Sequence, residues 1–373
     1  MTARHVMIGG FLGAGKTTAL CRLAEHLTGR GLRVGLITND QSTGLVDTAW
    51  LRSRGFEVEE IGGGCFCCRF SSLKEASDRL GRDQVPDVFL AEPVGSCTDL
   101  VATVSYPLRR LYGERFKVAP LSVLLDPRRA ARVFGLRPGP AFSEKVRYVY
   151  RKQVEEAHFI VINKQDQLDP RLREELIAKL EATYPAARVF CVSAREGSGL
   201  LPWFEAIERD ALPVHPAMQI DYDAYAAGEA LLGWLNATFG IQSAAPIDAD
   251  RLLADLAERL RRRLNQQEIE IAHLKLTLDG GHPLAGLSAI SVVDNQACDA
   301  LRETLGTPLP PFQDGSLIVN LRAEAAPLEL SRTLASVVAD LCRETPGLRC
   351  SSEHEECFRP ARPIPEHRIA HPS

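Results

Sequence analysis

The 373-residue sequence has no apolar run of signal-peptide length at its start, where glycines interrupt MTARHVMIGG at once. Nor does any later stretch approach the roughly 20 apolar residues that a membrane helix needs. A secreted or membrane-spanning protein is therefore not expected, and the reading is cytoplasmic. Positive charge is not in excess: 44 Lys and Arg against 48 Asp and Glu leave a net charge of −4. No broad basic face for nucleic acid or anionic lipid is implied. Internal repeats and low-complexity segments are also missing. In a reducing compartment the ten cysteines do not form a disulfide framework, so a cluster of them reads as a metal or redox site.

What is present is an ordinary globular composition, 45% hydrophobic and 25% charged, long enough for two domains. Over residues 1–211 short apolar runs alternate with helical stretches. Strands are expected at Val6–Ile8, Val34–Thr38, Val58–Ile61, Val88–Ala91, Val118–Leu125, Phe159–Ile162 and Val189–Val192, with helices such as Pro170–Thr183 between them. This alternation predicts an α/β fold, a P-loop NTPase with a doubly wound, mostly parallel sheet. Residues 212–218, with two prolines, read as a linker. Residues 219–346 read as a smaller α+β C-terminal domain, and 347–373 as a polar, proline-rich tail, poorly ordered at its very end.

The chemistry-bearing motifs each follow a strand, where ligands bind such sheets. Gly10–Thr17 reads GFLGAGKT, a full phosphate-binding loop between strand and helix. Gly10, Gly13, Ala14 and Gly15 let backbone N–H groups approach phosphates, and Thr18 continues the helix N-terminus. Lys16 is placed for the β- and γ-phosphates and Thr17 for Mg²⁺. Asn163–Asp166 reads NKQD; a carboxylate at Asp166 can accept from guanine N1–H and the exocyclic amine, a donor pair adenine lacks. Asn163, Lys164, Ser193 and Ala194 complete a base-contacting surface. Glu92 begins EPVG, suited to a Mg²⁺-bound or attacking water, and Gly95 offers a backbone N–H to the γ-phosphate. Asp40, in NDQSTGLVD with Asp47, is a candidate for the metal shell or water activation, in competition with a simple turn or cap.

Gly62–Cys68 reads GGGCFCC. Three thiols in four residues are costly to explain as packing, and thiolates suit Zn²⁺, Co²⁺, Ni²⁺ or Cu⁺. Adjacent Cys67 and Cys68 would point apart in a strand, but the preceding glycines permit a tight turn. Cys65, Cys67 and Cys68 leave a four-coordinate ion one ligand short, which suits transfer better than permanent structure. Cys350, His354 and Cys357 have ligand-like spacing too, against the alternative of a solvated acidic segment.

In this order and spacing, GGFLGAGKTT, GGGCFCC, EPVG and NKQD over residues 5–211 resemble the CobW-like GTPases, relatives of the hydrogenase and urease nickel-insertion GTPases. The resemblance implies a GTP-binding and GTP-hydrolysing metallochaperone or cofactor-maturation factor. Metal would sit on Cys65, Cys67 and Cys68, and Glu92 would be the acidic residue on the Mg²⁺ side. The implied ligands are GTP, Mg²⁺ and a transition metal, zinc foremost and cobalt or another metal as alternatives. The implied partner is an apo-metalloprotein client, with homodimer formation open. The chain lacks the His-rich stretch of many members, so buffering of several ions is not expected. A nucleotide-gated metal-sensing regulatory module is the alternative. A P-loop small-molecule kinase is a weaker one, because NKQD would be superfluous there.

Overall fold

The computed structural model describes residues 2–39, 46–139, 142–281, 287–296, 301–305 and 309–371. Its chain forms two compact units. The first comprises residues 1–139, 147–226 and 362–373, and the second residues 140–146 and 227–361.

The first unit is built on eight parallel strands: β1 (Ala3–Gly10), β2 (Val34–Asn39), β3 (Glu57–Ile61), β4 (Val88–Glu92), β5 (Phe116–Val118), β6 (Ser122–Leu125), β7 (Phe159–Ile162) and β8 (Arg188–Cys191). Their order is β3-β2-β4-β1-β6-β7-β8, with β5 also on β1. β1, β2, β4, β6 and β7 are almost wholly buried, as expected for parallel strands covered on both faces. One strand expectation is corrected: Val118–Leu125 is not continuous. Pro120 has no N–H to give a ladder, and the chain breaks there into β5 and β6. The sheet order has a functional consequence. Asn39 at the end of β2 pairs with Ile61 of β3, and Thr38 pairs with Glu92 of β4, which lies beside β1. The loops after β1, β4, β2 and β3 therefore leave one edge of the sheet side by side.

The second unit carries six antiparallel strands in the order β12-β11-β10-β13-β9-β14. They are β9 (Leu232–Ile247), β10 (Ile271–Asp279), β11 (Leu287–Val292), β12 (Leu301–Leu305), β13 (Phe312–Glu324) and β14 (Leu348–Phe358). Leucines at 252, 253, 256, 260 and 264 of the helix Ala249–Gln266 recur at helical spacing. They share a buried cluster with Leu330, Leu334, Val337, Val338 and Leu341 of the helix Pro327–Glu344. This is the expected α+β unit. Residues 348–358, expected within a polar tail, are instead the edge strand β14. Their exposed charges suit an edge, and the strand is held by main-chain pairing to β9. No helix among the described residues is long and apolar enough to cross a membrane.

Candidate functional site

The phosphate loop has the backbone that its glycines permit. Gly10, Gly13 and Gly15 have φ of 131°, 76° and 86°. A Cβ on Gly10 would stand 2.4 Å from the Leu124 carbonyl oxygen, and one on Gly15 would stand 2.4 Å from Asn163 Nδ2. Side chains are thus excluded twice, by torsion and by space. Gly15 precedes the helix Lys16–Gly29, whose first turn carries Lys16, Thr17 and Thr18. Lys16 is buried, with its ammonium 3.9 Å from Glu92 Oε1. The Thr17 hydroxyl donates to that same oxygen at 3.1 Å. An ammonium, a hydroxyl and a carboxylate from separate elements thus converge beside the loop. That donor set fits a phosphate-bound Mg²⁺, for which Thr17 and Glu92 supply oxygens.

The NKQD segment is tied to the same loop. Asn163 Nδ2 donates to the Ala14 carbonyl at 2.9 Å and its Oδ1 accepts from Ala194 N–H at 3.0 Å. Lys164, at φ 55°, donates to the Gly13 carbonyl at 2.8 Å and to Asp126 Oδ2 at 2.9 Å. Burial alone would raise the Asp126 carboxyl, but the Lys164 and Arg129 charges outweigh it and hold it below the ordinary carboxylate range. Asp166 Oδ2 accepts from Arg195 at 2.7 Å. Its Oδ1 is buried and has no hydrogen-bond partner among the described residues. An acceptor left over in this way fits the guanine expectation. Ser193 and Ala194 are both buried in the adjoining turn, where Ser193 Oγ accepts from Glu196 N–H.

The cysteine loop also folds as its sequence asks. Gly63 and Gly64, at φ 73° and 155°, turn the chain after β3, and Cys68 N–H closes a turn on the Cys65 carbonyl at 3.0 Å. The sulfurs come together at 2.8 Å (Cys65–Cys67), 3.3 Å (Cys65–Cys68) and 3.6 Å (Cys67–Cys68). Among the described residues this is the one set of three or more His, Cys, Asp or Glu with ligand atoms mutually within 4.8 Å. Tetrahedral zinc with bonds of about 2.3 Å spaces its sulfurs about 3.8 Å apart, so a modest spreading admits an ion. Hydrogen bonding to Cys67, Cys68 and Cys97 holds the Cys65 thiol well below its ordinary range. Hydrogen bonding to Cys65 and burial push Cys67 well above it and Cys68 up to about 11.

Asp40 lies outside the described residues, as do residues 41–45. Cys350, His354 and Cys357 are not brought together. A bulge between Ser352 and His354 lets Cys350 and Cys357, seven apart, both pack on the second unit's core. They stand roughly 20 Å apart along the strand.

Three contributors escaped the sequence. Asn39 ends β2 and is buried. It donates to the carbonyls of Ile61 at 2.9 Å and Gly64 at 2.6 Å, and accepts from Phe66 N–H at 3.0 Å. It clamps both flanks of the cysteine loop from the strand that leads to Asp40. Asp126, after β6, anchors Lys164 as described; its only sequence signal is DP before a helix. The third is the segment 362–371. Ile364 N–H donates to Cys68 Sγ at 3.2 Å, and Glu366 N–H to the Cys67 carbonyl at 3.0 Å. The Glu366 carboxylate accepts from Ser71 N–H at 3.0 Å and Ser71 Oγ at 2.7 Å. Arg368 pairs at 2.7 Å with Asp99, a buried carboxylate that also takes the Tyr222 hydroxyl.

The chain is 30% identical over 176 residues to a zinc chaperone, YeiR, of Escherichia coli K12, a match covering 46% of this chain and 50% of that one. It is 26% identical over 231 residues to a zinc chaperone, CobW, of Pseudomonas aeruginosa, covering 55% and 60%. The matches thus span about half the length of these relatives. Among solved structures, nickel-bound HypB from Helicobacter pylori is 19% identical with a TM-score of 0.43, covering 57% of this chain and 91% of that one. Zn(II)-bound YjiA GTPase from E. coli is 16% identical with a TM-score of 0.36, covering 90% and 99%. The model of the CobW/HypB/UreG nucleotide-binding domain matches residues 4–191, half of the chain, and the chain belongs to that family.

Proposed function

We propose that this protein is a GTP-hydrolysing metallochaperone that holds a transition metal, zinc foremost, on Cys65, Cys67 and Cys68 and hands it to a client as GTP is spent. The carrying observation is adjacency. The carboxyl ends of β1 and β4, where Lys16, Thr17 and Glu92 come together, lie beside those of β2 and β3, where Asn39 and the three thiols sit. The names of the curated relatives, zinc chaperones both, support the choice of metal.

In this reading the P-loop N–H groups and Lys16 bind the β- and γ-phosphates, and Asp166 Oδ1 takes the guanine donors. Thr17 and Glu92 hold Mg²⁺, which supplies charge neutralisation when bound. Water attacks the γ-phosphorus, the bond to the β–γ bridging oxygen breaks, and GDP and phosphate leave. Asn39 then relaxes its hold on Ile61, Gly64 and Phe66, and the thiolates open.

The test is a pair of competitive chelator titrations with Zn²⁺, one with a non-hydrolysable GTP analogue and one with GDP. A ratio of affinities of about 5–150-fold favouring the GTP-like state is expected for such coupling, and metal must change GTP affinity by the same factor. Equal affinities in the two states would leave the nucleotide and thiol sites uncoupled and end the chaperone reading.

A further inference from the structure

Cys68 is the outer corner of the thiol cluster. Cys65 and Cys67 are buried, at 8% and 1% exposure, whereas Cys68 is only partly covered. Part of that cover comes from the segment 362–371. We propose that this segment is a strap that screens the thiol cluster and is held shut by the Arg368–Asp99 ion pair, so that the loop after β4 controls access to Cys68. The screening concerns the thiols alone; its use in metal exchange rests on the reading of the cysteine motif as a metal site.

The strap is tied to the cysteine loop at successive points. Ile364 N–H donates to Cys68 Sγ at 3.2 Å and Glu366 N–H to the Cys67 carbonyl at 3.0 Å. Alternate N–H groups thus meet the loop, as they do along an extended chain. The Glu366 carboxylate takes the N–H and the hydroxyl of Ser71, at 3.0 and 2.7 Å, in the first turn of the helix Phe70–Leu80. The helix dipole favours a carboxylate there. His367 stands edge-on to Phe70, with 5.0 Å between ring centroids. Further along, Ile369 N–H donates to the Ala102 carbonyl at 2.9 Å, and the Ala370 carbonyl accepts from Ala217 N–H at 2.8 Å.

The hold is uneven. Over Cys68 it is hydrogen bonding with little apolar burial, since Ile364 is 74% exposed. Segments held in that way open at low cost. The firm point is Arg368, whose Nε donates to Asp99 Oδ2 at 2.7 Å and whose Nη2 donates to the Met218 carbonyl at 3.1 Å. Asp99 is a fixed post. It is buried, takes the Tyr222 hydroxyl at 2.7 Å, and holds φ at 64°, a torsion that a non-glycine residue keeps where its surroundings impose it. Its neighbours are anchored as well: the Thr98 hydroxyl and Val101 N–H donate at 3.2 and 3.1 Å to the buried Glu156 carboxylate. The loop that leads to this post leaves β4 at Glu92 and presses Gly95 on the phosphate loop, where a Cβ would stand 3.0 Å from Leu12 N. The strap is therefore fastened to the loop that borders the phosphate loop, and it reaches from there to Cys68.

The test is alkylation of the full, metal-free chain by iodoacetamide, with each cysteine followed by peptide fragmentation, on wild type, Arg368→Ala, Arg368→Lys and Glu366→Ala. Thermal melts check that each variant is folded; Arg368→Lys and Glu366→Ala keep the test alive if Arg368→Ala unfolds. Cys21 and Cys191 lie outside the cluster and serve as internal standards. Arg171→Ala, which breaks an exposed pair with Glu175, is the control variant. Loss of a charge-assisted hydrogen bond should raise the Cys68 rate roughly 10–100-fold in Arg368→Ala, and by less in the other two. The rates of Cys21 and Cys191 should stay as in wild type, and Arg171→Ala should change none of them. Zn²⁺ loaded on the strap variants should pass to excess chelator faster by a similar factor. A folded Arg368→Ala with the wild-type Cys68 rate, or with every cysteine quickened alike, overturns the strap. A quickened Cys68 with unchanged loss of Zn²⁺ overturns its role in metal exchange. A quickened Cys68 on chains that bind no Zn²⁺, wild type included, upholds the strap and overturns the metal reading beneath it.

Discussion

Asn39→Ala is the sharpest perturbation of the proposed coupling, because the hydrogen bonds of Asn39 among the described residues go to neither the phosphate loop nor a sulfur. Its amide makes three hydrogen bonds, at 2.9, 2.6 and 3.0 Å, to Ile61, Gly64 and Phe66, of which the one to Gly64 is only partly buried. At a net worth of about 1 kcal/mol each, their loss costs about 3 kcal/mol. For a unit of this size that lowers the midpoint of thermal unfolding by about 6–12 °C. The functional effect should exceed what a softened fold gives. With the clamp gone the cysteine loop no longer senses the end of β2. The ratio of Zn²⁺ affinities between GTP-analogue and GDP states should then collapse toward one. Mean affinity should fall roughly 10–100-fold, as when an outer hydrogen bond to a metal ligand is lost. The measurement is the chelator titration in both nucleotide states on protein shown folded by melting. A folded Asn39→Ala with the wild-type affinity ratio would refute the route through β2.

Base choice, turnover and acid stability give three further outcomes. GTP should bind better than ATP by up to about 10⁴, and Asp166→Asn should shift preference toward xanthine nucleotides; equal calorimetric affinity of wild type for ATP and GTP would remove the guanine assignment. Lys16→Ala should lower both GTP binding and phosphate release, whereas Glu92→Gln should lower phosphate release far more than binding; unchanged turnover in Glu92→Gln would take it out of the mechanism. The folded-state pKa of Asp126 is depressed, so its stabilisation is present above the unfolded value near 3.9 and is lost as pH falls through the folded one. Melting midpoints of wild type should therefore drop more steeply than those of Asp126→Asn below about pH 4, and parallel curves would show that the Lys164 pair carries no such stabilisation.

What the sequence disclosed was whatever is written locally. The phosphate loop, the turn of GGGCFCC and the buried run FIVI before NKQD each carry their geometry within a few consecutive residues, and Lys16, Thr17 and Glu92 meet as expected. What stayed hidden depends on strand order. Asn39 reads as one more turn residue ahead of Asp40 until β2 is seated between β3 and β4. The segment 362–371 reads as tail until its N–H groups are found on Cys67 and Cys68. The same holds for fold elements. β9, with Gly, Asn and Pro along its length, owes its strand state to pairing on both sides, and β14 spends its charges on solvent while its main chain bonds to β9. Propensity describes the residue alone, and here the ladder decides.

In the proposed function, the segment 362–371 bears on how a metal would leave. Donation of Ile364 N–H to Cys68 Sγ favours the thiolate, and the Glu366 contacts to Cys67 and Ser71 seat the segment against the loop. Its anchor lies elsewhere, on Asp99, two residues beyond Cys97. A movement of the loop after β4 would therefore reach the cluster by shifting the carboxylate that holds Arg368. Burial pushes Asp99 up despite Arg368 and Tyr222, so the pair is costly to break and the segment should travel with the loop rather than detach from it. A cluster whose covering segment moves with that loop could shed a bound ion without any of the three motif cysteines leaving the turn that assembles them.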